Sequence, residues 1–184
     1  MLNKYRLVLT TALIGAVLLV GCASRPVPGS LQATALRNQL LQLDDTVEAD
    51  EATRLAEASL AKSAALAREY RAVWPPWLHN NLVNAGFRDR GLCYEWTNDL
   101  FTHLQSLNLR SIELHLAVAR MDTPREHNAV IVTAHRQPFA EGVILDAWRH
   151  SGHLWFGRAA ADKYPWQPLP RERVAPELEK FFAP

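Results

Sequence analysis

Cysteine is nearly absent from the chain: of 184 residues only Cys22 and Cys93 carry a thiol, so no disulfide framework can staple the fold. A dominant charge is missing too. Twenty basic against 19 acidic side chains leave a formal net charge of +1, which denies the chain the electrostatic footprint of a nucleic-acid binder and argues against polyanionic partners. There is no His-rich or Cys-rich tract for a metal and no calcium loop. Sustained heptads and internal repeats are also absent. The longest uncharged apolar run, Leu7 to Val20, has fourteen residues, short of the roughly 20 that cross a bilayer core.

What is present at the N-terminus is a pair of cations, Lys4 and Arg6, ahead of that run. This is the charged and hydrophobic pattern of an export signal. The run closes on Leu19, Val20, Gly21 and Cys22, which resembles the lipobox of bacterial lipoproteins. The resemblance implies that residues 1–21 are a signal peptide and that Cys22 carries the lipid (a palmitate-bearing anchor). With Ala23 rather than Asp after it, the protein is expected at the outer membrane, facing the periplasm, rather than at the inner membrane. Residues 22–30, with Pro26, Pro28 and Gly29, read as a tether. Subtracting 21 from 184 leaves 163 residues, enough for one domain over 31–184. Once Cys22 is lipidated, Cys93 is a lone thiol in an oxidising compartment, and such a thiol is either buried and inert or kept for chemistry.

Periodicity divides this domain in two. Ser30 is placed to cap a helix through about Leu43, with Leu31, Leu36, Leu40 and Leu43 near helical spacing. A second helix is expected from Asp50 to Arg71, rich in strong helix formers. Its apolar stripe of Leu55, Ala58, Leu66 and Tyr70 is interrupted by Ser59 and Lys62, leaving open packing against the domain or a coiled coil with a partner. Pro75 and Pro76 stop it. Trp77 to Ala85 reads as a short helix closed by Gly86, and Leu92 to Leu107 as a helix whose apolar face includes Cys93, Trp96, Leu100, Leu104 and Leu107. The period then changes to that of strands: Ile112 to Val118, His127 to Thr133 and Gly142 to Trp148, an antiparallel meander on the Cys93 helix. Beyond it the chain, with Pro165, Pro168, Pro170 and Pro176, reads as irregular up to a last short helix over Glu177 to Phe182. The expected class is α+β.

Three residues fall at chemically useful points. Cys93 opens a helix, where free N–H groups and the dipole favour a thiolate. His127 opens a strand and Asp146 lies near the end of the next, and antiparallel neighbours about 5 Å apart allow the two to meet. Gly91-Leu92-Cys93-Tyr94-Glu95-Trp96, Glu126-His127-Asn128-Ala129-Val130 and Ile144-Leu145-Asp146-Ala147-Trp148 together resemble the transglutaminase-like branch of the papain-like superfamily of cysteine peptidases. The resemblance covers about Trp77 to Trp148. It implies a Cys93 nucleophile, a His127 base and an Asp146 that orients the imidazole. The N–H of Cys93 would give one oxyanion donor and Asn80, Asn81 or Asn84 a second.

The function expected on this basis is acyl transfer from an amide of a protein or peptide substrate, most simply hydrolysis of a peptide or isopeptide bond, with protein crosslinking as a second enzymatic outcome. No cofactor or metal is required, although some relatives use calcium. His150 with His153 lacks the further ligands a metal site needs. The other histidines have no assigned role, and the six tryptophans read chiefly as core. The competing expectation is a non-catalytic envelope lipoprotein of the same fold, binding a partner through the helices of residues 31–71.

Overall fold

The computed structural model describes residues 28–182. The signal segment, Cys22 and most of the expected tether lie outside the described residues. Four α-helices come first among those described: α1 (Pro28–Leu41), α2 (Ala49–Glu69), α3 (Pro76–Asn84) and α4 (Cys93–Gln105). Five strands follow: β1 (Ile112–Ala119), β2 (His127–Ala134), β3 (Val143–Asp146), β4 (Trp155–Arg158) and β5 (Trp166–Pro168). They form one antiparallel sheet in the order β4-β3-β2-β1-β5. The class is α+β. No helix among the described residues is long and apolar enough to cross a membrane.

Strand alternation sorts the sheet's side chains into two layers. Val130 and Val132 of β2 and Val143 and Leu145 of β3 join Trp96, Leu100 and Leu104 of α4 in the main core, which α1 and α2 complete. The other face carries Ala129, Ile131 and Ile144 under Phe139, Trp155 and Trp166. Because β2 is covered on both faces, all eight of its residues are buried.

Four expectations change. The meander has two further strands, β4 and β5, in the stretch read as irregular; they are four and three residues long, too short for a period to register, and Pro168 is tolerated because β5 is an edge strand. The closing helix is a 3-10 helix, Pro176–Phe181. Leu31 is exposed, whereas Leu36, Leu40 and Leu43 are buried. Ser59 does not interrupt the α2 stripe: it is fully buried, its hydroxyl donating to Leu55 O at 2.6 Å. Ser63 likewise donates to Gly152 O at 2.9 Å, and the small residues Ser63 and Ala67 let the turn at Gly152 approach α2 so closely that a side chain there would collide. The α2 stripe is therefore spent on α1, α4 and this turn, which is the packing alternative.

One buried carboxylate fixes the entry into β1. Glu51 of α2 accepts from Arg110 N and Ser111 N at 2.8 Å each and from Ser111 Oγ at 2.7 Å. Burial alone would raise its pKa, but the bonds from Ser111 and Arg110 outweigh it and hold the carboxyl below its ordinary value. Glu51→Ala leaves the buried Ser111 N–H and hydroxyl and the Arg110 N–H without their acceptor and is expected to lower stability by about 3 kcal/mol at neutral pH. Since the folded-state pKa is depressed, this contribution is present above the unfolded value and lost as pH falls through the folded one. Denaturant unfolding of wild type and variant should accordingly converge below about pH 4; a gap independent of pH would refute the charged-acceptor role.

Candidate active site

The start of α4 is fastened from several sides. Glu95, three residues into the helix, turns its carboxylate back to accept from Gly91 N at 2.7 Å and Leu92 N at 2.9 Å, so two N–H groups at the entry are satisfied by a side chain. Trp96 Nε1 donates to Gly91 O at 3.0 Å. Gly91 has φ +122°, and a side chain there would strike the His79 ring. His79 is itself buried and its Nε2 donates to Arg90 O at 3.0 Å. Together these contacts set the position of Cys93, the first residue of α4.

Across the sheet, Asp146 is fully buried and saturated. Its Oδ2 accepts from His127 Nε2 at 2.7 Å and from Arg149 Nε at 2.8 Å, and its Oδ1 from Arg149 N at 2.9 Å. The paired register of β2 and β3 runs from Val130 opposite Leu145; continued by one residue it sets Asp146 opposite Ala129, so His127 is its diagonal neighbour on the same face. Burial opposes the Asp146 charge, but His127 and then Arg149 overcome it and hold the carboxyl below its ordinary value. Arg149 is balanced in turn by a two-pronged pair with Asp162, Nη1 to Oδ1 at 3.1 Å and Nη2 to Oδ2 at 2.7 Å, and lies 3.7 Å over the Trp155 ring. Asp162 Oδ2 also accepts from Trp166 Nε1 at 2.8 Å. The chain His127, Asp146, Arg149, Asp162, Trp166 is thus one continuous polar network.

A carboxylate can only accept, so His127 Nε2 is the donor of this bond. The other ring nitrogen, Nδ1, is buried and has no hydrogen-bond partner. Single buried atoms of Gln39, His79 and Arg88 share this property, so its meaning comes from its surroundings. The single proton of the half-buried Cys93 thiol has two acceptors within reach, Asn128 Oδ1 at 3.5 Å and Glu126 O at 3.9 Å, on the residues either side of His127. No hydrogen bond joins thiol and ring. By alternation the His127 and Asp146 side chains lie on the face away from α4, while Asn128 points toward it. Burial pushes the thiol up to about 11, the N–H groups of Asn128 and Tyr94 opposing and the charges of Asp146 and Glu126 reinforcing the rise.

His127 also lines a cleft of about 390 Å³ bounded by α3 and the turn between β1 and β2. Trp148 Nε1 donates to Asn80 Oδ1 at 3.0 Å, so the Asn80 amide presents its N–H groups elsewhere. Asn81 and Asn84 line the same cleft. All three asparagines thus share a cleft with His127, and Cys93 does not line it. Arg149 and Asp162 were not anticipated. The only sequence signal for Arg149 is its place three residues after Asp146, the reach of a carboxylate-to-guanidinium bond across one turn. His153 Nε2 meets Gln32 Nε2 at 2.8 Å and His150 stacks on Trp74; among the described residues no cluster of His, Cys, Asp and Glu is arranged to hold a metal.

Removing Arg149 leaves two carboxylates underpaired. Arg149→Met is expected to destabilise the fold by about 3 kcal/mol, and Arg149→Lys, which keeps the charge but not the fork, by less. Equal denaturation midpoints for wild type and both variants would show that the network contributes nothing. Comparison with protein-family models, with curated proteins and with solved structures finds no match for the chain.

Proposed function

We propose that the chain is a lipid-anchored, cysteine-dependent acyl-transfer enzyme of the transglutaminase-like, papain-like type. In this reading it faces the periplasm from the outer membrane and hydrolyses a peptide or isopeptide amide. The observation that carries the reading is the free, buried Nδ1 of His127, in a ring whose other nitrogen is held by Asp146 at 2.7 Å and whose two chain neighbours both offer acceptors to the Cys93 thiol. A desolvated lone pair without a partner costs about 1–3 kcal/mol, and a thiol proton is what a base in this position would take.

The chemistry follows from that polarity. Nδ1 removes the Sγ proton as Sγ attacks the amide carbonyl carbon, and Asp146 stabilises the imidazolium through Nε2. The oxyanion faces the free N–H of the first turn of α4 and an Asn amide from the cleft. The imidazolium then protonates the leaving amine, giving a thioester, which water cleaves with Nδ1 again as base. If an amine replaces water in the second step the outcome is crosslinking; water is the simpler acceptor because it is abundant and needs no binding element.

A second reading, a non-catalytic binding lipoprotein of the same fold, draws support from one observation: the thiol is pushed up to about 11 and bonded to Asn128 Oδ1, not to the ring. Iodoacetamide labelling of the full-length chain against pH, followed at Cys93 by peptide mass, separates the two. Enzyme function requires a His127-dependent rate with its inflection below the ordinary thiol value of about 8.5, lost in His127→Ala. A single rise toward pH 11, unchanged in His127→Ala, would sink the catalytic reading.

A further inference from the structure

Two cations facing the cleft beside His127 have no counter-ion. Arg120 closes β1 with φ +55° and holds its guanidinium 5.0 Å over the Tyr164 ring; Arg125 lies in the same turn and lines the same cleft. Among the described residues neither guanidinium has a carboxylate within salt-bridge distance. Their neighbours differ. Arg149 is paired with Asp146 and Asp162, and Arg173 with Asp122 at 2.6 Å and Glu126 at 3.4 Å. The one acid lining the cleft, Glu126, is thus already met by Arg173 and also accepts from Asp122 N at 2.8 Å. What remains is a concave site with two uncompensated positive charges on one wall and the amides of Asn80, Asn81 and Asn84 with the exposed face of Trp77 on the other.

We infer that this cleft binds a peptide carrying a carboxylate, with the acid on Arg120 and Arg125 and the backbone between the asparagine amides and Trp77. Guanidinium forks match a carboxylate bidentately, side-chain amides donate to and accept from a peptide bond as no aliphatic lining does, and an indole face covers an extended chain without demanding one side chain. The volume lies within the roughly 300–1,000 Å³ of small-ligand sites. The cations sit on the turn that leads into His127, so an acid held there anchors a peptide next to the imidazole. This assignment names the substrate class of the proposed enzyme and rests on that reading only for what happens after binding.

The test uses the full-length chain with Cys93→Ala, so that nothing is turned over, and follows the indole N–H resonance of Trp148 by NMR. The probes are acetyl-Ala-Glu-Ala-amide, acetyl-Ala-Gln-Ala with a free C-terminal carboxylate, and the neutral acetyl-Ala-Gln-Ala-amide. At least one acidic peptide should bind about tenfold more tightly than the neutral one, with the preference falling as salt rises and vanishing in Arg120→Gln/Arg125→Gln; both side chains are exposed, so the fold is not at stake. Equal affinity for the neutral peptide, or a preference that survives the double replacement, would overturn the inference. So would inorganic phosphate binding as tightly as the acidic peptide, which would make the cleft a general anion sink. Acid-selective binding without cleavage by the wild-type chain would retain the cleft and remove the enzyme. Cleavage without acid selectivity would do the reverse.

Discussion

A carboxylate taken wholly out of water is tolerable only if its charge and lone pairs are met, since the desolvation penalty is several kcal/mol per ion even after relaxation. Asp146 is in that position, with no exposed side-chain surface. Arg149 meets it through both Nε and its own backbone N–H, and Arg149 is desolvated in turn, so it requires Asp162, which also accepts from Trp166 of β5. The short edge strands β4 and β5 supply the aromatic walls, Trp155 under the guanidinium and Trp166 beside His127. The outer layer of the sheet is organised around this single buried charge.

The same saturation constrains the imidazole. With Asp146 accepting from Nε2, the orientation of the imidazole is fixed, and the ring is gripped among Trp148, Tyr164 and Trp166 at centroid distances of 4.8–5.4 Å.

Much of this was legible in the sequence, for definite reasons. Helix α4 could be read because Trp96, Leu100 and Leu104 recur at helical spacing, strands β1 and β2 because their runs are eight residues long, and the shorter β3 because Val143, Ile144 and Leu145 form a β-rich run. The proximity of His127 and Asp146 followed from two adjacent strands joined by a short connection. The strands β4 and β5 were hidden because three or four residues contain no period and Pro168 argues against a strand until its edge position is known. Ser59 looked like a break in α2 because a hydroxyl reads as polar, whereas a helical serine can donate its proton to a carbonyl one turn back, as Ser59 does to Leu55 O. Arg149 and Asp162 were invisible because their pairing depends on where β4 and the following turn go.

The alternation of β2 adds a constraint that no motif expresses. His127 and Asn128 are consecutive, so their side chains leave opposite faces of the sheet, and α4 lies on the Asn128 face. A slip of one residue in β2 would exchange the faces and turn His127 toward α4 while carrying it away from Asp146. The β1–β2 register, eight consecutive pairs from Ile112–Ala134 to Ala119–His127, prevents that slip. The depth of Cys93 is set independently, by Glu95, Trp96 and His79 acting on Gly91 and Arg90. Two separately fastened elements therefore come together at the start of β2, where the thiol finds its acceptors on the residues either side of His127 and no hydrogen bond joins it to the ring. If Cys93 and His127 act as proposed, the Sγ bond to Asn128 Oδ1 must break before the thiol proton can pass to Nδ1, so the side chain that follows His127 in β2 holds the thiol in its resting position.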